Sequence, residues 1–118
     1  MNRFHQGDIV IADAEPHSGH EIGGHDPEAQ NIRRHFIVAS NDEFNRITRK
    51  AICFPITSKQ KQDDMLIPFA DFDSKTNGSI ILRDPVIYDL NSRHGMIIGS
   101  VSDNKLMALL KQAIVESV

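Results

Sequence analysis

Short runs in which apolar and polar residues alternate fill most of the chain, a pattern typical of β-strands. Turn-forming residues separate the runs, and the Asn77-Gly78 pair among them predicts a tight hairpin turn. Pro55 cannot donate to a sheet, so we expect it at a strand end or a sheet edge. The predicted strands cover residues 8–13, 35–40, 51–56, 65–69, 79–82 continued beyond Pro85 by 86–88, and 96–101.

Helical spacing of apolar residues is confined to the last segment of the chain. Residues 103–116 are predicted to form an amphipathic helix, and the residues around Asp103 offer caps for it. Residues 41–45 should form a turn or one helical turn, with Asn41 as its cap. Several short strands and one terminal helix predict a mainly β fold, a small and strongly twisted barrel that forms a single domain over residues 1–118.

The composition indicates an ordered globular domain, because 40% of the 118 residues are hydrophobic and 25% are charged. Cys53 is the only cysteine, which excludes an intrachain disulfide and a thiolate metal cluster within one chain, and its place in a strand predicts a core position. We find no signal peptide and no bilayer-spanning stretch, so a cytoplasmic protein is expected. The net charge of −3 means that any nucleic-acid site must be a local basic patch.

A polar loop over residues 14–34, with His35 directly after it, carries four of the six histidines and is much longer than an ordinary connection, which favours a functional role. Neutral imidazoles there could bind zinc or a similar ion, one histidine could transfer protons near neutral pH, or all could be solvated surface groups. Their spacing matches no strict zinc motif, and we predict no metal site. The histidines concerned are His17, His20, His25 and His35.

Two short polar motifs flank predicted strands and could bind phosphate. Arg33 and Arg34 precede the second strand, and a guanidinium can hold a phosphate through two hydrogen bonds, although an exposed strand flank is the commoner role of an arginine. Thr57 and Ser58 follow the third strand. Their hydroxyl and amide groups could bind a phosphate or a developing oxyanion, or could simply begin a turn.

A third polar stretch, Arg83-Asp84-Pro85, is followed by Asp89 and by Arg93-His94. A carboxylate beside an arginine could act as a general base next to a phosphate clamp, or could form a surface ion pair of little energetic weight. The chain contains no nucleophile elbow, no phosphate-binding loop and no dinucleotide fingerprint. These absences argue against a serine hydrolase and against a nucleotide-dependent enzyme.

Taken in order, several stretches resemble the MazF/PemK/Kid family of toxins from bacterial toxin–antitoxin pairs, and the likeness covers nearly the whole chain. The order and spacing of the stretches, rather than any one motif, make the resemblance specific. The stretches are Gly7-Asp8-Ile9-Val10, Pro16 with Gly19-His20-Glu21, Arg34-His35-Phe36-Ile37-Val38, Phe44-Asn45-Arg46-Ile47-Thr48-Arg49, Pro55-Ile56-Thr57-Ser58, Asn77-Gly78, and Asp89 with Arg93.

The resemblance implies an SH3-like barrel with a C-terminal α-helix, working as a homodimer. It implies sequence-selective cleavage of single-stranded RNA without a metal or other cofactor, which would inhibit translation and growth. The ribose 2′-OH would attack the adjacent phosphate and leave a 2′,3′-cyclic phosphate and a 5′-OH. A cognate antitoxin would bind the dimer and block its groove with a tail that folds on binding.

At matching positions the resemblance also implies roles for single residues. Arg34 would hold the scissile phosphate, Thr57 would hydrogen-bond it or the oxyanion, and His20 would position the reacting nucleotide. Asp84 completes the predicted catalytic set. The predicted RNA contacts are Ser58, Arg83, Arg33 and Asn77.

The chain departs from the PemK/Kid pattern in three places. The loop between His20 and Arg34 is longer, and His35 replaces the usual proline. When the prolines are matched at Pro85, Arg83 occupies the position of the catalytic aspartate of the family and Asp84 lies one residue away. A shift of one residue turns a side chain to the other face of a strand, unless a β-bulge restores its direction. The general base could therefore be Asp84, His20 or His94.

Two alternatives to a ribonuclease stay open at this point. The first is a non-catalytic, toxin-like barrel that binds RNA, an antitoxin or another protein partner, which the departure at Asp84 and the acidic isoelectric point favour. The second and weaker alternative is a metal site formed by the histidine-rich loop.

Overall fold

Seven strands and two helices make up most of residues 2–14, 32–58 and 65–116, which are the residues that this computed structural model describes. The elements are β1 (Asp8–Asp13), β2 (Arg33–Val38), α1 (Asp42–Thr48), β3 (Ala51–Thr57), β4 (Leu66–Asp71), β5 (Thr76–Ile81), β6 (Val86–Tyr88), β7 (Met96–Ser100) and α2 (Asn104–Glu116).

The strands form one curled antiparallel sheet in the order β4-β5-β3-β2-β1-β7. Strand β3 is central because it pairs with β2 along one side and with two short strands along the other. Its end, Ile56 and Thr57, pairs with β5, and its beginning, Ala51 to Cys53, pairs with β6. The curled sheet forms a half-barrel and is followed by the C-terminal α2, which confirms the predicted mainly β fold with a terminal helix.

Both faces of the sheet are buried, because alternate residues of the central strands point to opposite sides. On one face, Ile9, Ile37 and Phe54 pack with residues of α2 such as Leu110. On the other face, a second cluster joins strand residues to Phe4 and Leu90 from outside the sheet. Cys53 belongs to this second cluster, as expected of a core residue, and burial raises the pKa of its thiol to about 12.

The helices agree with the sequence pattern, although α1 is longer than predicted. The Asn41 side chain accepts a hydrogen bond from the Phe44 amide at 2.8 Å, which is the predicted N-cap. Helix α1 then runs for seven residues and ends at Arg49, whose φ of 57° is left-handed. Asp103 caps α2 through bonds from two backbone amides. No helix among the described residues is long and apolar enough to cross a membrane.

The hairpin turn predicted at Asn77-Gly78 is wrong, because both residues lie inside β5 and pair with Ala70 and Phe69 of β4. The turn occupies residues 72–75 instead, where Lys75 takes the positive φ of 56°. Gly78 serves a different purpose. A Cβ at this position would lie 1.8 Å from the carbonyl oxygen of Thr57, so only glycine lets β5 approach β3 here.

Pro55 lies within β3 rather than at its end, which corrects the prediction, but no ladder hydrogen bond is lost. On the side away from β2, the pairings of β3 with β5 and with β6 leave a gap at Phe54 and Pro55. A continuous register would pair Cys53 with Arg83, whereas Cys53 pairs with Val86. Three residues are therefore looped out between β5 and β6 beside the proline, in the kind of place where prolines are tolerated in sheets.

We expect Gly78→Ala to lower the free energy of unfolding by about 3 kcal/mol, because the added methyl group would force β5 away from Thr57. Urea unfolding followed by circular dichroism would measure the change. Asn77→Ala is the matched control, since Asn77 is the exposed neighbour of Gly78 in the same strand. An equal loss of unfolding free energy in both variants would show that the close approach of β5 to β3 at Gly78 does not cause the destabilisation.

Candidate functional site

A row of residues crosses β1, β2, β3 and β5 near the end of β1, the start of β2 and the end of β3. Ala12 of β1 pairs with Arg34 of β2, and Thr57 of β3 pairs with Ser79 of β5. One residue beyond the His35–Ile56 pair, the antiparallel register places Arg34 opposite Thr57. Paired residues of antiparallel strands point to the same face, so the guanidinium of Arg34 and the hydroxyl of Thr57 share one side of the sheet.

The two adjacent arginines of β2 have different surroundings. Arg34 is exposed, and its side chain makes no hydrogen bond or ion pair with any described residue. Arg33 is tied down: it bonds the Asp13 carboxylate at 2.7 Å and the carbonyl oxygens of Ile11 and His94 at 3.2 and 2.8 Å. Arg34 is thus available to a ligand, whereas Arg33 holds β1, β2 and the β6–β7 turn together.

Asp13 is the centre of this anchoring network. Its carboxylate is only 10% exposed, and its second oxygen lies 2.7 Å from Nδ1 of His94. A carboxylate can only accept at that distance, so Nδ1 of His94 donates and Nε2 is left as the basic nitrogen of a neutral ring. The His94 side chain is 76% exposed, which leaves Nε2 open to a ligand.

Arg93 extends the basic surface on the face that Arg34 shares. Its guanidinium lies 3.8 Å from the centre of the Tyr88 ring, and it donates to the Asp13 carbonyl at 3.1 Å. Tyr88 in turn packs edge-on against Phe36, with ring centres 5.4 Å apart. Phe36 is two residues from Arg34 in β2, so an aromatic and cationic strip continues from Arg34 toward Arg93.

The remaining predicted site residues border the same row. Asn77 is exposed and lies two residues before Ser79 in β5, hence on the same face. Ser58 is exposed immediately after Thr57. Arg83 and Asp84 are both exposed in the looped-out segment that separates β5 from β6, a break in the ladder rather than a one-residue β-bulge.

The histidine-rich loop falls largely outside the described residues, and with it His17, His20 and His25. His35 lies in β2, where it pairs with Ile11 and Ile56. Within residues 2–14, 32–58 and 65–116 no three histidine, cysteine or acidic side chains group closely enough to hold a metal ion.

Sequence reasoning missed Asp13, the residue that organises the site. It ends β1 and pairs with Arg33, which lies twenty positions away across the long loop. No local spacing pattern connects the two residues. The only available signal was a carboxylate at the end of an otherwise apolar strand.

Comparison with known proteins places the chain in a family. The profile of the PemK-like, MazF-like toxins of type II toxin–antitoxin systems matches residues 5–118. Because this match spans nearly the whole chain, the protein belongs to that family and is a type II toxin of a toxin–antitoxin pair. No curated protein sequence matches the chain.

Several solved structures share this fold. MazF from Deinococcus radiodurans has a TM-score of 0.74 at 19% identity, covering 98% of this chain and 96% of the neighbour. A MazE–MazF complex from the same organism has a TM-score of 0.71 at 16% identity, covering 98% and 95%. An endoribonuclease in complex with its cognate antitoxin, from a mycobacterial species, has a TM-score of 0.65 at 15% identity, covering 99% and 94%. At these identities the likeness establishes the fold.

We expect Asp13→Asn to destabilise the protein by about 1–2 kcal/mol, because it removes the negative charge that holds Arg33 and His94. The loss stays modest because Arg33 is partly solvated. Urea unfolding at neutral pH would measure the loss. Asp73→Asn, at an exposed position of the β4–β5 turn, is the control and should change little. If both variants unfolded at the same urea concentration as the unaltered protein, Asp13 would not be the anchor of the strand ends.

Proposed function

We propose that the protein is a metal-independent endoribonuclease that cleaves single-stranded RNA at the row of residues containing Arg34 and Thr57. Cleavage of messenger RNA would inhibit translation and growth, in keeping with a toxin. The proposal rests mainly on one observation: an exposed arginine that makes no hydrogen bond or ion pair with any described residue shares a sheet face with a threonine hydroxyl on the neighbouring strand.

The chemistry needs fixed donors around one phosphate group. The ribose 2′-oxygen bonds to the adjacent phosphorus, the bond from phosphorus to the 5′-oxygen breaks, and the products are a 2′,3′-cyclic phosphate and a 5′-hydroxyl. Negative charge grows on the non-bridging oxygens during this exchange. Arg34 can neutralise that charge with two parallel hydrogen bonds, and Thr57 can donate a third, so both stabilise the transition state.

The reaction also needs a base for the 2′-hydroxyl proton and an acid for the 5′-oxygen. We assign the base to His94, because Asp13 holds Nδ1–H and leaves the exposed Nε2 ready to accept a proton. His94 lies at the same end of β1 and β2 as Arg34, since its carbonyl accepts from Arg33. The Asp13 carboxylate that holds its ring is on the sheet face opposite Arg34, so Nε2 must reach the phosphate around the open strand ends. Asp84, exposed in the looped-out segment, is the alternative base, and His20 could position the nucleotide or serve in its place.

The RNA would lie along the aromatic and cationic strip. Arg93 over Tyr88 offers a flat cationic surface on which a base can stack, and Ser58, Asn77 and Arg83 offer hydrogen bonds to the flanking nucleotides. Arg33 would act by holding the strand ends in place rather than by contacting RNA.

We also propose that the toxin works as a homodimer and is neutralised by a cognate antitoxin. The structural neighbours include complexes of MazE with MazF and of an endoribonuclease with its antitoxin, which supports such a partner. Exposed apolar side chains, among them Phe72 at 95% and Ile87 at 61% exposure, offer surface for both contacts.

Arg34→Ala should reduce cleavage of single-stranded RNA by about 1,000-fold, and Arg34→Lys by about 100-fold, because lysine keeps the charge but not the two parallel bonds. RNA ends mapped after incubation in EDTA would measure both rates. Lys111→Ala, an exposed cation on α2, is the matched control and should cut normally. Full activity of Arg34→Ala, or a requirement for added metal, would contradict the proposal. Binding of RNA without cleavage would identify a non-catalytic binding module.

His94→Asn should lower the cleavage rate by about 100-fold or more, because asparagine cannot accept the proton of the 2′-hydroxyl. The substitution suits the backbone, since His94 has a φ of 56° and asparagine tolerates that conformation. Asp84→Asn should have a much smaller effect. The cleavage rates of both variants decide the assignment, and the reverse pattern would give the role of base to Asp84.

A further inference from the structure

A second basic surface lies at the other end of β3, around the turn that joins α1 to β3. A cavity of about 690 Å³ opens there between the N-terminal residues, α1 and the turn before β7. We propose that this cavity is a second phosphate-binding site that holds single-stranded RNA beyond the cleaved position. The inference rests on the proposed function for its ligand, and assigns that ligand a second contact area.

Four cationic side chains line the cavity, although the chain as a whole carries a net charge of −3. All four are exposed, and none forms a side-chain hydrogen bond or ion pair with a described residue. Unpaired cations drawn together on an acidic protein indicate an anionic ligand, since their mutual repulsion is otherwise uncompensated. They are Arg3, Arg46, Arg49 and Lys50.

Acidic groups in the lining do not cancel this charge. Asp42 already accepts from His5 Nδ1 at 3.1 Å and from the Gln6 amide at 2.9 Å. Glu43 is exposed and without a described partner, so two carboxylates, one of them already hydrogen-bonded, face four cations. The cavity therefore keeps a clear positive balance.

The cavity is also suited to a nucleotide rather than to an isolated phosphate ion. Its lining includes the buried apolar residues Phe4, Ala51 and Leu90. An apolar floor with nearby arginines provides contacts for both a base and its phosphate.

The position of the cavity favours RNA over an unrelated acidic partner. Ala51 lines the cavity and shares a face of β3 with Thr57, about 20 Å away at the usual rise of a strand. Ala51 also pairs with Tyr88, the residue that carries Arg93 on its ring. Arg34 and Thr57 thus lie at one end of this side of the molecule and the cavity at the other, with the cation of Arg93 on the same face, so a strand of several nucleotides is long enough to reach both.

The test measures how much affinity the protein gains from RNA length. Fluorescein-labelled 2′-O-methyl RNAs of about 6 and about 20 nucleotides cannot be cleaved, and fluorescence anisotropy reports their binding. The unaltered protein should bind the long probe about tenfold more tightly than the short one, because only the long probe reaches both sites. Arg46→Gln/Arg49→Gln should lose this gain, and its salt dependence on the long probe should fall by about 1.4 in logarithmic slope.

Two control variants make the result specific. Arg46→Lys/Arg49→Lys keeps the charge and should keep most of the gain, whereas Lys105→Gln/Lys111→Gln removes two exposed cations from α2 and should change nothing. Circular dichroism and thermal melting would verify that each variant is folded.

Several outcomes would overturn the site. One is an unchanged gain in affinity with RNA length in Arg46→Gln/Arg49→Gln, and another is no binding of either probe by the unaltered protein. The third is that Arg46→Gln/Arg49→Gln loses affinity for a polyglutamate peptide while its RNA binding stays intact. That result would assign the cavity to an acidic protein segment. The probes report binding alone, so a protein that cleaves no RNA but shows the length gain would refute the proposed nuclease and retain the site.

Discussion

The antiparallel register between β2 and β3 is the constraint on which the rest of the site depends. Side chains alternate between the two faces of a strand, so a slip of one residue would exchange the positions of Arg33 and Arg34. In the observed register Arg34 stands opposite Thr57 and Arg33 reaches Asp13. The register is held by the buried apolar pairs along the same strands, such as Ile37 with Phe54, because a slip would expose them.

The polar network around Asp13 complements that apolar constraint. The apolar pairs fix which face each side chain occupies, but they end before the open ends of β1 and β2. There the buried Asp13 carboxylate bonds the side chains of Arg33 and His94. Arg93, in the β6–β7 turn, donates to the Asp13 carbonyl oxygen. The network leaves two groups exposed, the guanidinium of Arg34 and Nε2 of His94. The frame thus leaves both groups open to solvent, although the Nδ1 atom of His94 is itself bonded to Asp13.

Charge distribution explains how a mildly acidic chain could still bind RNA. The net charge of −3 predicts no general affinity for a polyanion. One side of the sheet nevertheless carries several cations, with Arg34 and Arg93 near one end of β3 and Arg46, Arg49 and Lys50 near the other. Local fields decide binding within about a Debye length, roughly 8–10 Å at physiological salt, so the acidic residues elsewhere have little influence.

The sequence by itself determined the strands, the terminal helix, the Asn41 cap and the core position of Cys53, because each follows from local periodicity or capping chemistry. Through the resemblance to the MazF/PemK/Kid family, it also indicated Arg34 and Thr57 as candidate phosphate contacts. It misplaced the hairpin turn, since the Asn77-Gly78 signal reflects a close approach of β5 to β3 rather than a reversal of the chain. Only the tertiary structure decided that Arg33 is anchored while Arg34 is not, that Asp13 orients His94, and that α1 and the N-terminal residues enclose a basic cavity. These relations join residues far apart in the chain, and no local pattern encodes which distant partners a side chain will meet.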